Sequence, residues 1–120
     1  MPNQTENSES RTSAIIAKQN DAFRKFPFAG GKFMMTRGVS AFMQEHEVNI
    51  LPLVQDFNDF NENNDPYGEH DYGSFTIKDE KIMWKIDYYD AASNYKYGSE
   101  DASNSSITRR VLTIMLADEY

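Results

Sequence analysis

The stretch from Ser74 to Tyr88 constrains the fold more than any other part of the chain. Phe75 and Ile77 alternate with Ser74 and Thr76, and Ile82, Trp84, Ile86 and Tyr88 alternate with Met83, Lys85 and Asp87. A period of two across two runs separated by a short polar step predicts an antiparallel hairpin with one apolar face. A two-residue turn at Asp79-Glu80 would pair Lys78 with Lys81, Ile77 with Ile82 and Phe75 with Trp84. That register gathers the large apolar groups on one side, as burial of a single face requires. The turn lacks the preferred glycine, so its type stays open.

The rest of the chain is read around this hairpin. Residues 1–11 hold no apolar anchor and are expected to be a disordered tail, leaving 12–120 as a single domain. Thr12 or Ser13 can cap a helix whose apolar stripe is Ile15, Ala22, Phe23 and Phe26, and Pro27 ends it. Gly30-Gly31 is a turn, Lys32 to Arg37 reads as a strand, and Gly38 breaks it. Gln44 to Phe60 reads as a second amphipathic helix with Val48, Leu51 and Val54 inward. Pro52 either kinks it or starts its regular part, and a continuous bent helix is the expectation. Asn58 to Tyr72 and Asp90 to Ser106 are polar connections. Arg110 to Leu116 is apolar on both faces and reads as an interior strand. The expected class is α+β: a small antiparallel sheet of three to four strands with two helices packed on one face.

A chain of 120 residues buries roughly two thirds of its unfolded surface, enough for one core. It contains no cysteine, which excludes disulfides, thiolate metal sites and a thiol nucleophile. No run approaches the ~18 apolar residues of a membrane span, and the polar start is unlike a secretory or transit peptide, so a cytoplasmic location is expected. The net charge is −7 and unevenly placed. Residues 1–55 carry six Lys/Arg against five Asp/Glu, and residues 56–120 carry six against fourteen. From Asp56 to Asp71 there are six carboxylates and no Lys or Arg. Such a field repels nucleic acid and attracts a basic protein surface or a hard cation.

The segment from Asn64 to Tyr72 collects three carboxylates after Asn64 (Asp65, Glu69 and Asp71), His70 and two phenols. A carboxylate beside a histidine can act as an acid/base pair, and oxygen and imidazole donors can hold a divalent metal. The segment lacks HExxH and EF-hand spacing, and His46 lies far away. Asp65-Pro66-Tyr67-Gly68 is also a favourable β-turn, so a structural role for the loop leads over contact or metal roles. At the end of the central strand, Asp87 and Tyr89 point away from the core face, either as a contact patch or as cover for the outer side of the sheet. Arg109-Arg110 is expected to neutralise nearby carboxylates. Gly30-Gly31-Lys32 is not a P-loop, and Ser103, Ser105 and Ser106 have no nucleophile-elbow context.

Several blocks together resemble a family. They are Gln19-Asn20-Asp21-Ala22-Phe23-Arg24, Gly31-Lys32 with Thr36-Arg37-Gly38-Val39, Asn63 through Gly73, Lys81 through Asp90, and Arg110 through Tyr120, so that the resemblance covers about residues 15–120. The chain resembles the small bacterial proteins grouped as domain of unknown function 3768, found largely in alphaproteobacteria and often on plasmids or other mobile elements. The resemblance implies a bacterial cytoplasmic protein and supplies no catalytic mechanism.

These readings lead to a non-catalytic protein-binding module, of the kind a mobile element uses to inhibit a host defence system (anti-CRISPR or anti-restriction) by occupying a basic nucleic-acid-binding surface. Carboxylates then compete with phosphates for the same Lys and Arg. The candidate contact residues are Asp59, Glu62, Asp65, Tyr67, Glu69, Asp71, Asp87, Tyr89 and Asp90. No cofactor, metal, direct nucleic acid or membrane partner is expected. Self-association into a homodimer through a free sheet edge is open. The alternatives are an acid/base or metal-dependent enzyme at Glu69, His70 and Asp71, or a host accessory protein.

Overall fold

The computed structural model describes residues 4–120. Its elements in chain order are α1 (Gln4–Lys25), β1 (Gly31–Met35), α2 (Arg37–His46), α3 (Leu51–Gln55), β2 (Tyr72–Ile77), β3 (Glu80–Asp90), β4 (Thr108–Leu116) and a closing 3-10 turn, Ala117–Glu119. The four strands form one sheet in the order β1-β4-β3-β2. β2, β3 and β4 are antiparallel neighbours, whereas β1 joins β4 in parallel. The fold is therefore α+β with a mixed sheet, and three helices rather than two lie among the described residues.

The hairpin forms with its turn displaced by one residue. Lys78 and Asp79 occupy the loop, both at positive φ, and Ile77 pairs with Glu80. Positive φ at both central residues matches the right-handed twist of the flanking strands. Phe75 consequently faces Ile82 rather than Trp84. Each partner moves by two residues, so every side chain keeps its face and the apolar side survives intact.

That side carries Ile82, Trp84 and Ile86 of β3 with Leu112 and Ile114 of β4, all nearly or fully buried. Phe23 of α1, Val39 and Phe42 of α2, Ile50 and Val54 cover it in one continuous cluster. Gly31 allows the closest approach of β1, because a Cβ there would run into the Arg110 carbonyl and the Phe23 ring. On the opposite face Met83, Val111 and Met115 are buried as well. Nearby on that face, Tyr95 from the β3–β4 connection packs edge-on against Tyr89, with Lys32 Nζ 4.0 Å from its ring centre.

Three helical expectations are corrected. First, α1 turns Ile16, Ala17, Asn20, Phe23 and Arg24 inward, while Ile15, Ala22 and Phe26 are exposed. The apolar stripe alone gave the wrong phase because two buried positions are polar. Its first turn also starts at Gln4, within the expected 1–11 tail, whose residues 1–3 lie outside the described residues. Second, α2 starts at Arg37 and Gly38, which read as the end of a strand and a break, and only its last residues, Gln44 to His46, fall in the expected second helix. Thr36 caps α2, accepting from Val39 N, and Glu47 closes it in the left-handed region. Third, Pro52 does not kink a long helix. It sits in the first turn of the short α3, where its missing N–H would have had no intrahelical partner.

Candidate functional site

Asn20, Arg24, Asp65, Thr108 and Arg110 are the buried polar residues among those described, and four of them build one network between α1, the loop 56–71 and the sheet. Arg24 reaches across to the loop. Its Nε donates to the Val54 carbonyl (3.2 Å), Nη2 to the Phe57 carbonyl (3.0 Å) and Nη1 to the His70 carbonyl (3.4 Å). Val54 lies in the last turn of α3 and Phe57 two residues beyond the end of that helix, the side on which a cation is favoured. Nη1 also pairs with Asp21 Oδ1 at 3.0 Å. The guanidinium stacks over Trp84 (4.8 Å) and Phe60 (5.2 Å). Burial lowers its pKa, and the Asp21 charge and hydrogen bond oppose that shift.

Arg110 is held differently. Nε donates to Asn20 Oδ1 (2.6 Å), and Nη2 donates to Gln19 Oε1 (2.8 Å) and the Ala102 carbonyl (2.9 Å). Among the described residues no carboxylate lies within ion-pair distance of it, so it does not neutralise a neighbouring acid by contact. Asn20 Nδ2 donates to the Tyr88 hydroxyl (2.8 Å) and the Glu69 carbonyl (3.0 Å), and Tyr88 donates to Glu69 Oε1 (3.2 Å). Desolvation, then the Asp71 charge, raises the Glu69 pKa. Desolvation also raises that of Asp71 and pushes the Tyr88 hydroxyl far up.

Asp65 is turned inward. Its Oδ1 accepts from the backbone N–H groups of Glu69 (3.0 Å) and His70 (3.1 Å). The His70 ring stacks flat on Phe60 at 3.9 Å, with Nδ1 3.0 Å from Asp21 Oδ1 and Nε2 3.7 Å from Asp65 Oδ2. The Asn61–Asn64 turn adds hydrogen bonds from Asn61 N to Asn64 Oδ1 and from Asn64 Nδ2 to the Asp59 carbonyl. The loop is therefore fastened from inside at Phe57, Phe60, Asp65, Glu69 and His70, and its exposed Asn61–Asn64 turn is held by its own hydrogen bonds.

The nine candidate contact residues separate accordingly. Asp59, Glu62 and Tyr67 are exposed. Asp65 is buried, while Glu69 and Asp71 are half-buried against the network. Asp87 pairs with Lys85 at 2.8 Å, Tyr89 packs on Tyr95, and Asp90 Oδ1 accepts from Ala92 N in the turn after β3. The expectation of one outward acidic surface across all nine is thus corrected. The loop consumes Asp65 to hold its own backbone, and Asp87 is neutralised along its strand. No group of three or more His, Asp or Glu among the described residues is arranged to hold a metal ion. Asn20, Arg24 and Arg110 were missed as site residues. The only sequence signal for two of them was polarity at helical spacing, Asn20 and Arg24 being one turn apart.

No helix of the described residues is long and apolar enough to cross a membrane. No curated protein and no solved structure matches the chain. One family model does, over residues 35–119, from the end of β1 through the closing 3-10 turn. That match spans well over half of the chain and includes β2, β3, β4 and the loop that carries Asp65, Glu69 and His70. The chain belongs to the family described as protein of unknown function (DUF3768).

Proposed function

We propose that the chain is a non-catalytic protein-binding module that offers fixed carboxylates to a basic partner surface. The observation that supports this reading is the internal fastening of the loop 56–71. Arg24, Asp65 and the Asn61–Asn64 turn hold its backbone, and Asp56, Asp59, Glu62 and Tyr67 remain exposed. Two cations, Arg24 and Arg110, lie inside, which leaves the surface short of positive charge. A loop that is already ordered loses little entropy on binding, and an exposed tyrosine supplies contact area with few rotors. The partner surfaces that fit are those that otherwise bind nucleic acid, including those of a host defence system countered by a mobile element. The half-buried Glu69 and His70 side chains are committed to Tyr88 and to Asp21, which argues against catalysis there.

The test is capture from a bacterial host by the tagged full chain and by the D56K/D59K/E62K variant. The expected result is a nucleic-acid-binding protein held by the wild type, released by DNA and by added salt, and absent from the variant. Equal capture by both chains, or capture insensitive to salt, overturns the reading.

A further inference from the structure

Strand β2 is a sheet edge with none of the usual protections. Its sequence, Tyr72-Gly73-Ser74-Phe75-Thr76-Ile77, contains no charge and no proline. The opposite edge, β1, carries Lys32. Ile86 N donates to the Asp71 carbonyl, and Ile77 and Glu80 flank the two-residue turn. Alternation along the strand therefore points the backbone of residues 71, 73, 75 and 77 at β3, and that of Tyr72, Ser74 and Thr76 outward. No hydrogen bond within the described residues covers those outward groups.

Beside this edge, on the helix-covered side, lies an apolar cleft of about 440 Å³ lined by Leu53, Phe57, Phe75 and Ile77, with Asp59 among its walls. Leu53 is 45% exposed, although its neighbour Val54 is fully buried. Open backbone groups and an apolar cleft along the same edge are the two elements of recognition by strand addition, and the carboxylate at the cleft adds a charge preference.

We propose that β2 is a docking edge for an extended segment of the partner in which an apolar residue enters the cleft and a Lys or Arg two positions along meets Asp59. This rests on the protein-binding reading and names the segment that reading leaves open. Charge complementarity selects the occupant. The half of the chain that contains this edge carries fourteen Asp/Glu against six Lys/Arg, so a basic strand is attracted, while a second copy presenting the same half is repelled.

The probe is the capped peptide Lys-Thr-Val-Thr-Val-Thr-Lys, compared with the same peptide carrying Glu in place of both Lys. The expected result with the full-length protein is slowed hydrogen exchange at the Tyr72, Ser74 and Thr76 amides, with shifts at Leu53 and Phe57. Binding should be about tenfold tighter for the lysine peptide. Unchanged exchange at those amides, or equal binding of the two peptides, overturns the proposal. So does protection that appears without peptide as concentration and molecular mass rise, because the occupant is then a second copy. The Thr76→Pro variant removes an outward N–H, together with a side chain beside the cleft, at an edge position where proline is tolerated, and should lose the peptide at an unchanged melting temperature. If that variant still captures the cellular partner while D56K/D59K/E62K does not, strand addition fails and the protein-binding reading stands.

Discussion

Asn20 Oδ1 accepts a 2.6 Å hydrogen bond from Arg110 Nε, joining α1 to the interior strand across 90 residues of sequence. Asn20 is completely buried, and its amide serves three partners at once: Arg110, Tyr88 and the Glu69 carbonyl. One neutral side chain thus orients a buried cation and a half-buried phenol, and ties the loop to both.

Asn20→Ala removes the acceptor that faces Nε of a buried guanidinium and leaves the Tyr88 oxygen without its donor. Hydrogen bonds to charged groups are worth about 1.5–3 kcal/mol, so a loss of about 3 kcal/mol in unfolding free energy is expected. Arg110→Met alone strands Asn20 Oδ1 and Gln19 Oε1. The double variant removes both the cation and the Asn20 acceptor, so its loss should fall short of the sum of the two single losses. Denaturant unfolding of the four chains measures this coupling. Strict additivity would mean that the contact has no energetic content of its own.

Gly31→Ala tests the approach of β1 to the sheet. The added Cβ meets the Arg110 carbonyl, which is backbone and cannot rotate away, and the Phe23 ring. Overpacking of this kind costs about 1–3 kcal/mol, and the fixed backbone neighbour places this site at the upper end. Gly98→Ala is the control, since its nearest neighbour, the Tyr88 carbonyl, lies at an ordinary 3.7 Å. A change within about 0.5 kcal/mol is expected there. Thermal melts of both variants decide, and equal losses would count against the close approach.

The contrast between the hairpin and the helices shows what was legible in the sequence. Strict alternation at Ile82, Trp84 and Ile86 reported the buried face, because a period of two leaves no other side available. The turn position was not legible, since Lys78-Asp79 carries no glycine to mark it and a displacement of one residue preserves every face. The phase of α1 was hidden because Asn20 and Arg24 occupy core positions, where only a partner distant in sequence makes polarity tolerable. The start of α2 was hidden for a related reason: part of its cap comes from Glu119, at the far end of the chain. At the site, Asp65 was readable as a turn former. Its inward direction follows from the N–H groups of Glu69 and His70, and no composition reports that.

The cap makes a prediction of its own. Glu119 Oε2 accepts from Gly38 N (3.2 Å) and Oε1 accepts from Leu116 N (2.8 Å), while the Thr36 hydroxyl donates to Oε1 (2.6 Å). These hydrogen bonds, that from Thr36 foremost, lower the Glu119 pKa. A carboxyl with a lowered folded pKa contributes stability above its unfolded pKa, and that contribution disappears as pH falls through the folded value. Glu119→Gln should therefore lower the melting temperature at neutral pH and have little effect in strong acid. Thr36→Ala should cost about 1 kcal/mol through loss of the helix cap. A Glu119→Gln effect that is the same at both extremes of pH would remove the ionised cap from the account.

Glu69 has the opposite sign. Burial, then the charges of Asp71 and Asp65, raise its pKa, while the Tyr88 hydrogen bond and the Arg110 charge oppose the rise. Between the unfolded and the raised folded value the native chain binds more protons than the unfolded one. Stability accordingly falls as pH climbs through that window and stays lower at neutral pH. Glu69→Gln keeps an oxygen for the Tyr88 hydroxyl and removes the charge. The neighbouring Asp71, whose charge contributes to the Glu69 shift, has its own pKa raised chiefly by burial. The variant should match the wild type at pH values below the ordinary carboxylate range and exceed it in melting temperature at neutral pH, the gap opening as pH rises above that range. A gap that stays constant, or that closes as pH rises, would mean that the Glu69 carboxylate is fully compensated inside the loop.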